Sequence, residues 1–410
     1  MILIDILEEH IEEADFLWQQ RKNALSDRAY NLGDLAELEE RLFAHLDGLA
    51  LGGNDAWKLL EPKLSSGEEG EVFTAAFVAL DSNDSSMIDL VQKNFSDAEG
   101  NVINGICYAF KHTMNPDVEN ILLPLLNSDN VCNLAAIIDS LSFRRVPIDA
   151  DKLQTFLHNK DPRIVTATLR AVGRLRIRQF LEEAERLLDN EVIEVRREAV
   201  KTGLLLGSRK ALDVCRSMVA SCIEGADQFI EYPGLMGMAD DVNILMTALK
   251  NPILVRNAVK ALGLTGNIST IELLIQCASE PKLSRLAGES FRRITGVNLE
   301  KGKLISEKLQ EPKTSSLPEE EFEMDPDEDL PFPDHEKLTE WWRSNSAKFD
   351  KRVRYRNGQP YSYEVLIDIL KNGILPYRHY AAFELALMNP AYSYLETHAF
   401  SIRQRRDMKF

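Results

Sequence analysis

The sequence predicts an all-α fold in which pairs of helices form a solenoid with atypical helical caps. The first observation is a repeat, because apolar residues return at helical spacing about every 30 residues. Val165 and Leu169 in one unit correspond to Val195 and Ala199 in the next, and Val255 fills the same position later. The second observation is that no segment shows the sustained apolar–polar alternation, bounded by hairpin turns, that indicates strands.

Charge and composition narrow the classes of function. The chain has 410 residues and a net charge of −17. Because a protein that binds a nucleic-acid backbone normally presents a basic face, this charge disfavours nucleic acid as a partner. No stretch reaches the ~18 consecutive apolar residues of a membrane span, and the N-terminus lacks the positive region of a secretory signal. The five cysteines form no CxxC pair, as is typical of buried thiols in a reducing compartment. These features predict a cytoplasmic protein without a membrane partner.

Residues 1–60 are predicted to form a helical hairpin that caps one end of the row. Its first helix covers residues 2–23 and its second covers 34–49, where leucines form an apolar stripe and Gly52-Gly53 ends the helix. The hairpin is acidic and out of register with the later repeat. A terminal unit must cover the end of a stacked core, so an atypical first unit is expected.

Residues 61–302 contain the repeats. Weak copies begin near Glu68, Asp97 and Asp129, and clear copies begin at Asp161, Glu191, Asn251 and Glu280. Asp161-Pro162 and Asn251-Pro252 each predict an N-cap followed by proline at the first helical position, and Glu280-Pro281 is a poorer version of the same signal. The first helix of each unit is expected to end near the recurrent glycine. The double interval after residue 191 predicts a degenerate unit at 221–250, whose first helix is broken by proline and glycine.

Three arginines, Arg196, Arg256 and Arg285, occupy the same position in successive clear repeats. The sequence favours a structural role, in which each arginine bridges an acidic residue or a helix carboxyl end in a neighbouring repeat. The alternative is that these side chains face a ligand.

The remaining chain divides into a linker and a C-terminal module. Residues 303–336 are predicted to be an acidic, proline-containing linker, since they carry too little apolar surface to fold alone. Residues 337–410 are predicted to form a helical module with a small hairpin at Asn357-Gly358. We expect this module to pack against the last repeats near residues 291–294 and to cap the row.

The module also contains the best candidate surface for a partner. The segment 351–361 is basic and aromatic, and arginine and tyrosine are enriched at protein-binding hot spots. The candidate partner-binding residues are Arg352, Arg354, Tyr355, Arg356, Tyr361 and Arg378. Two alternatives stay open: the segment docks against the acidic surface of its own chain, or its aromatic residues stack on bases.

The repeat pattern of Asp/Asn-Pro, mid-helix Val and Arg and a closing Gly resembles HEAT-type α-solenoids over residues 68–296. The chain ends are similar to an uncharacterised proteobacterial HEAT-repeat family. This similarity lies in Trp18 with Arg21, residues 44–49, Ile294-Thr295-Gly296, the acidic linker, Trp341-Trp342, Gly358-Gln359-Pro360, Arg378 with residues 381–385, and Arg403-Gln404. That family is found near type VI secretion genes, so the resemblance implies a partner from a secretion or effector–immunity system. It implies no catalytic residue.

The sequence lacks the common motifs of catalytic, cofactor-binding and metal sites. There is no GxGxxG after a strand, no GxxxxGK[ST], no GxSxG and no HExxH, and the seven histidines are scattered. We therefore predict no catalytic residue, cofactor or metal ligand. The leading hypothesis is a non-enzymatic scaffold or adaptor that binds another protein. The alternative is an enzyme of unknown reaction that uses the concave groove, which we expect the second helices of the repeats to line.

Overall fold

The computed structural model describes residues 4–82, 84–306, 327–389 and 392–408. Within these ranges the chain is helical apart from loops and one short hairpin, so the predicted all-α class is confirmed. No helix in these ranges is long and apolar enough to cross a membrane. Most of the predicted linker, at 307–326, lies outside the described residues. The chain divides into two compact units, of which one comprises Met1–Ser208 with Leu366–Phe410 and the other comprises Arg209–Val365.

The first unit begins with helices α1 (Ile4–Ala24) and α2 (Leu32–Leu60). Asn31 caps α2, since its side-chain oxygen accepts from Gly33 N while the Asp34 carboxylate accepts from Asn31 N. The predicted end of α2 at Gly52-Gly53 is wrong. Gly53 has φ +54° and ψ −130°, a combination that a residue without Cβ adopts easily, and the chain bends there and resumes the helix.

Among the described residues up to 206, ten α-helices follow α2 in the first unit. They are α3 (Lys63–Ser66), α4 (Glu69–Asp81), α5 (Ser85–Ser96), α6 (Gly100–His112), α7 (Val118–Leu125), α8 (Val131–Arg144), α9 (Ala150–Leu157), α10 (Pro162–Leu175), α11 (Leu181–Arg186) and α12 (Ile193–Leu206). We call α4, α6, α8, α10 and α12 the first helices, because each is the first of the two helices of its repeat. Each begins 31 residues after the one before it and contacts its neighbours in that order.

The recurrent glycine permits close packing between first helices. A Cβ on Gly173 in α10 would lie 2.9 Å from Thr202 Oγ1 in α12, and Thr202 Oγ1 donates to Leu169 O at 2.7 Å. The helix ends near this glycine, as expected, because α10 continues to Leu175 and its C-cap residue Arg176 takes the left-handed conformation.

The second unit contains α13 (Arg209–Ala220), α14 (Glu231–Met236), α15 (Ala239–Ala248), α16 (Val255–Thr265), α17 (Ile271–Cys277), α18 (Pro281–Thr295) and α19 (His335–Asn345). The pair formed by α14 and α15 is degenerate as predicted, since α14 is only six residues long and contains Pro233 and Gly234. The first helices α14, α16 and α18 contact each other in order.

Two of the three predicted helix starts are confirmed. The Asp161 side chain accepts from Arg163 N with Pro162 at the start of α10, and Pro281 begins α18 after Glu280, whose side chain makes no cap. The prediction for Asn251-Pro252 is wrong. Its side chain accepts from Ile253 N within a turn, and α16 begins only at Val255.

A hairpin of β1 (Tyr355–Arg356) and β2 (Gln359–Pro360) docks on the second unit. Its turn is the predicted Asn357-Gly358, and both residues have positive φ. Asn357 N donates to Arg293 O at 2.8 Å and Gly358 N donates to Ile294 O at 3.0 Å. Together with the edge contact between Trp341 and Phe291, these bonds confirm the predicted docking for the first part of the module.

The rest of the module belongs to the first unit. Its helices are α20 (Tyr363–Asn372), which starts just before the division between the units, α21 (Leu375–Met388) and α22 (Ser401–Asp407). Leu375 N donates to Tyr30 O at 2.9 Å, and α22 contacts α2. The C-terminal residues therefore pack against the N-terminal part of their own unit, a contact that the sequence did not predict.

Candidate functional site

A buried ion pair joins the N-terminal hairpin to the C-terminal residues. Arg21 Nε lies 2.7 Å from Glu39 Oε1, and both side chains are 2% exposed. The second carboxylate oxygen of Glu39 accepts from Ser401 N at 2.6 Å, while Arg21 Nη2 donates to His398 O at 2.9 Å. Each partner of the pair is thus also bonded to the C-terminal chain, which fixes residues 398–401 on α1 and α2.

Phe400 fills an aromatic cluster beside this pair. Its ring centroid is 4.8 Å from that of Phe43 and 4.6 Å from that of His112, and the Arg21 guanidinium lies 4.8 Å from it. Burial, with a further contribution from Arg21, lowers the pKa of His112 well below its usual value. His112 is therefore neutral at pH 7 and acts as a packed ring.

The next feature is an open cavity of about 470 Å³ on the first helices. We use the name first-helix face for the surface of α6, α8, α10 and α12 that lines this cavity, together with the C-terminal ends of α8 and α10, where Arg145, Arg174 and Arg176 lie. Its polar residues come from α6, α8, α10 and α12 and are Asn104, Lys111, Asp139, Arg163, Thr166, Arg170, Glu194 and Arg197. The sequence analysis expected second helices to line the groove, whereas this cavity is lined by first helices.

Asp139 is the centre of a charge network at the edge of this cavity. Its carboxylate lies 2.6 Å from Arg174 Nη1, 3.3 Å from Arg170 Nη1 and 2.5 Å from Lys111 Nζ. Burial opposes ionisation, but Lys111, Arg174 and Arg170 hold the pKa of Asp139 well below its usual value. Asp139 is therefore an ionised structural partner and has no proton to transfer near neutral pH.

The network continues to the C-terminal segment. Arg174 Nε lies 3.0 Å from Glu396 Oε2, and His398 Nδ1 lies 3.2 Å from Glu396 Oε1. Against the effect of burial, Arg174 and His398 hold the pKa of Glu396 low. Burial also raises the pKa of the Cys107 thiol, which lines the cavity, to about 12. These charged groups satisfy one another, and the thiol stays protonated at pH 7.

A second cavity of about 690 Å³ lies between the ends of α6 and α8 and helix α22. We call it the basic pocket. It is lined by Lys111, His112, Thr113, Met114, Pro116, Glu119, Arg144, Phe400, Ile402, Arg403, Arg405 and Arg406. Five of these side chains are basic, in a chain whose net charge is −17.

Four of the predicted partner-binding residues contact the chain itself. Arg354 donates from Nε to Thr265 O at 2.7 Å, and its two Nη atoms donate to Met236 O and Leu235 O. Tyr355 and Arg356 are buried, and Tyr361 stacks with its ring centroid 4.4 Å from the Arg354 guanidinium. These contacts lie within the second unit and agree with the open alternative that the segment docks on the chain itself.

The other two predicted residues lie in opposite environments. Arg352 is 88% exposed and pairs with Asp350 at 2.8 Å. Arg378 is fully buried in the first unit, where Nε donates to Leu370 O at 2.6 Å and burial lowers the pKa of the guanidinium to about 10. Arg378 belongs to the first unit, whereas the segment 351–361 belongs to the second. Partner binding by that segment stays a prediction.

The repeat arginines have structural partners. Arg196 Nε donates to Asn190 O at 2.9 Å, Arg256 Nη2 lies 2.5 Å from Asp327 Oδ2, and Arg285 Nη1 donates to Glu328 O and Leu330 O. Arg256 and Arg285 therefore hold the described end of the acidic segment, whereas the sequence analysis expected a partner in a neighbouring repeat.

Two arginines that the sequence analysis did not single out hold the C-terminal chain. Arg145 Nη2 donates to Tyr394 O at 2.6 Å, and Arg176 Nη1 donates to Ala386 O at 2.8 Å. Both residues end a first helix in the left-handed conformation, with φ of +66° and +56°. They stand 31 residues apart, which is the interval between first helices, so the repeat register was the signal that could have found them.

Comparison with family models and with curated proteins finds no match to this chain. Among the residues that the structure describes, no group of three or more His, Cys, Asp or Glu side chains is placed to hold a metal ion.

Proposed function

We propose that this chain is a protein-binding scaffold of HEAT-like repeats whose first-helix face receives a partner polypeptide. The observation that carries the proposal is the repeated use of Arg145 and Arg176. Both donate to main-chain carbonyls of the C-terminal chain, which any polypeptide presents. A left-handed conformation at a residue other than glycine costs of order 1 kcal/mol, and such strain is concentrated at functional sites.

The rest of the face has the properties that a scaffold needs. Arg174 binds the carboxylate of Glu396, so the face already recognises both the backbone and an acidic side chain of a bound segment. Beside that segment, the cavity on α10 and α12 stays open, with Arg163, Glu194 and Val192 exposed. A partner polypeptide would bind the open part of the face in the same way, through its main-chain carbonyls and an acidic side chain. The Asp139 carboxylate is paired with Lys111, Arg170 and Arg174 and has no proton to transfer near neutral pH, which supports binding over catalysis.

Two further observations support a location and a class of partner. Cys107 and Cys215 are buried free thiols, which supports a reducing, cytoplasmic location. The resemblance of the chain ends to a family found near type VI secretion genes supports a partner from a secretion or effector–immunity system.

Photo-crosslinking in the source cell tests this function. A photo-reactive phenylalanine derivative at Thr166 or Glu194, which line the cavity, is expected to give a covalent adduct with one distinct protein. The matched control is Glu182, which is exposed on the second helix α11. The proposal is contradicted if neither cavity position yields an adduct, or if Glu182 yields the same adduct equally well.

A further inference from the structure

We infer that the basic pocket binds an acidic segment of a partner protein, in which carboxylates flank a large apolar side chain. The inference rests on the proposed function, because it names the chemistry of the partner that the scaffold binds.

Arg144 provides a partly buried cation, with Glu119 as the nearest acidic side chain of the pocket lining but no direct ion pair to it. Its Nη1 atom donates to Phe110 O and Thr113 O, at 3.3 and 2.9 Å, and its Nη2 atom donates to Asn115 O at 3.3 Å. Its Nε atom is buried without a hydrogen-bond partner, and it forms no ion pair with any residue the structure describes. Burial lowers the pKa of Arg144, Glu119 and Asp81 oppose this shift, and Arg403 adds to it. A partly buried charge without a direct ion pair favours the arrival of an opposite charge.

The other cations of the pocket are only partly compensated. Lys111 pairs with Asp139, while Arg403 and Arg406 share the single carboxylate of Asp407 at 3.6 and 3.1 Å. Arg405 is exposed and has no ion pair or hydrogen bond within the described part of the chain. Glu119 is the acidic side chain of the lining, against five basic ones, so the pocket has a surplus of positive charge, which attracts an acidic ligand and raises the rate of encounter.

Apolar side chains stand among these cations. Met114 is 50% exposed and Ile402 is 61% exposed, and the buried ring of Phe400 also lines the pocket. Large exposed apolar residues beside arginines are typical of protein-binding surfaces, and methionine adapts its shape to different ligands. A ligand with an apolar side chain between carboxylates would cover Met114 and Ile402 while its charges reach the arginines.

A polypeptide is the occupant that the neighbouring contacts favour. The same unit already binds the acidic side chain of Glu396 and the apolar ring of Phe400 from one short stretch of chain. The basic pocket likewise places basic side chains beside apolar ones, and these are accessible to a ligand. Arg405 and Arg406 line the pocket and are also exposed, so their charges are accessible to a ligand longer than a small molecule.

Fluorescence anisotropy with the full-length protein tests the inference. The probe is a labelled peptide of sequence Glu-Glu-Leu-Phe-Glu-Glu, and the matched probes replace every glutamate by glutamine or both apolar residues by serine. We expect the first probe to bind, with an affinity that falls as salt is raised, and both matched probes to bind at least about tenfold more weakly. Equal binding of the glutamine probe, or no binding of the first probe, would overturn the inference.

Two variants locate the site without disturbing the fold. Arg405→Glu and Ile402→Asp change exposed side chains, and each is expected to weaken probe binding about tenfold or more. Arg209→Glu, at an exposed arginine of α13, is the matched control and should bind as the parent does. If the probe binds both pocket variants as tightly as the parent, the basic pocket is not its site. In that case the adduct at Thr166 still decides the proposed function, because that position lies in the other cavity.

Discussion

Replacing Glu39 with alanine is expected to lower the free energy of unfolding of the first unit by about 3–5 kcal/mol. The change leaves the Arg21 guanidinium buried without its carboxylate and removes the acceptor of Ser401 N. The loss should be visible in urea denaturation followed by tryptophan fluorescence, since Trp18 stacks on Phe73 beside the same cluster. Deuterium uptake near Ser401 should increase in the same variant, because its amide loses its acceptor.

The adjacent Glu40 offers a matched control. It lies on the same helix, is exposed, and has no ion pair within the described residues. Glu40→Ala should change the free energy of unfolding by no more than about 0.5 kcal/mol. Equal stability of the Glu39→Ala and Glu40→Ala proteins would show that the buried pair does not join the C-terminal chain to the hairpin.

The second large effect is expected at Asp139. Asp139→Ala removes the carboxylate shared by Lys111, Arg170 and Arg174, and three cations are then left close together. We expect a loss of about 3–5 kcal/mol in the free energy of unfolding, measured by the same denaturation experiment. Asp139→Asn should lose less, because the amide keeps the shape of the side chain and can still accept hydrogen bonds.

The control for Asp139 is Asp89, an exposed residue of α5. Asp89→Ala should leave stability nearly unchanged. If Asp139→Ala is as stable as this control at pH 7, the three cations do not depend on that carboxylate, and the network is not a structural element of the first-helix face.

Local features of the fold could be predicted from the sequence because neighbouring residues determine them. Asp161-Pro162 marks a helix start through one side chain and one ring, and Asn357-Gly358 specifies a tight turn through two residues that tolerate positive φ. The repeat was visible because its apolar residues recur at a nearly fixed interval. Where the local signal was ambiguous, as at Gly53, the prediction ended a helix that in fact bends and continues.

Contacts between distant parts of the chain could not be predicted in the same way. Glu39 and Ser401 are separated by 362 positions, and nothing in the sequence near either residue identifies the other. The composition showed an acidic hairpin and a basic C-terminus, but the decisive contact is one buried pair, Arg21 with Glu39, that lies within the hairpin itself.

Part of the candidate site had a signal in the repeat register. Asp139 and Arg170 are 31 residues apart, as are Arg145 and Arg176, so each pair occupies equivalent positions on neighbouring first helices. Aligning the units at 31 residues would have placed these charges on one surface. The basic pocket had no such signal, because α22 completes it from outside the repeats.

A double-mutant cycle between Arg174 and Glu396 tests most directly the central claim that the first-helix face binds a carboxylate-bearing segment. Unfolding free energies are measured for Arg174→Met, Glu396→Gln and the double variant. Because the two side chains are in contact at 3.0 Å, we predict a coupling energy of about 1–3 kcal/mol. Arg163 and Glu396 share no contact or partner, and their cycle should be additive. A coupling below about 0.5 kcal/mol for Arg174 and Glu396, no larger than that of the control cycle, would contradict the claim.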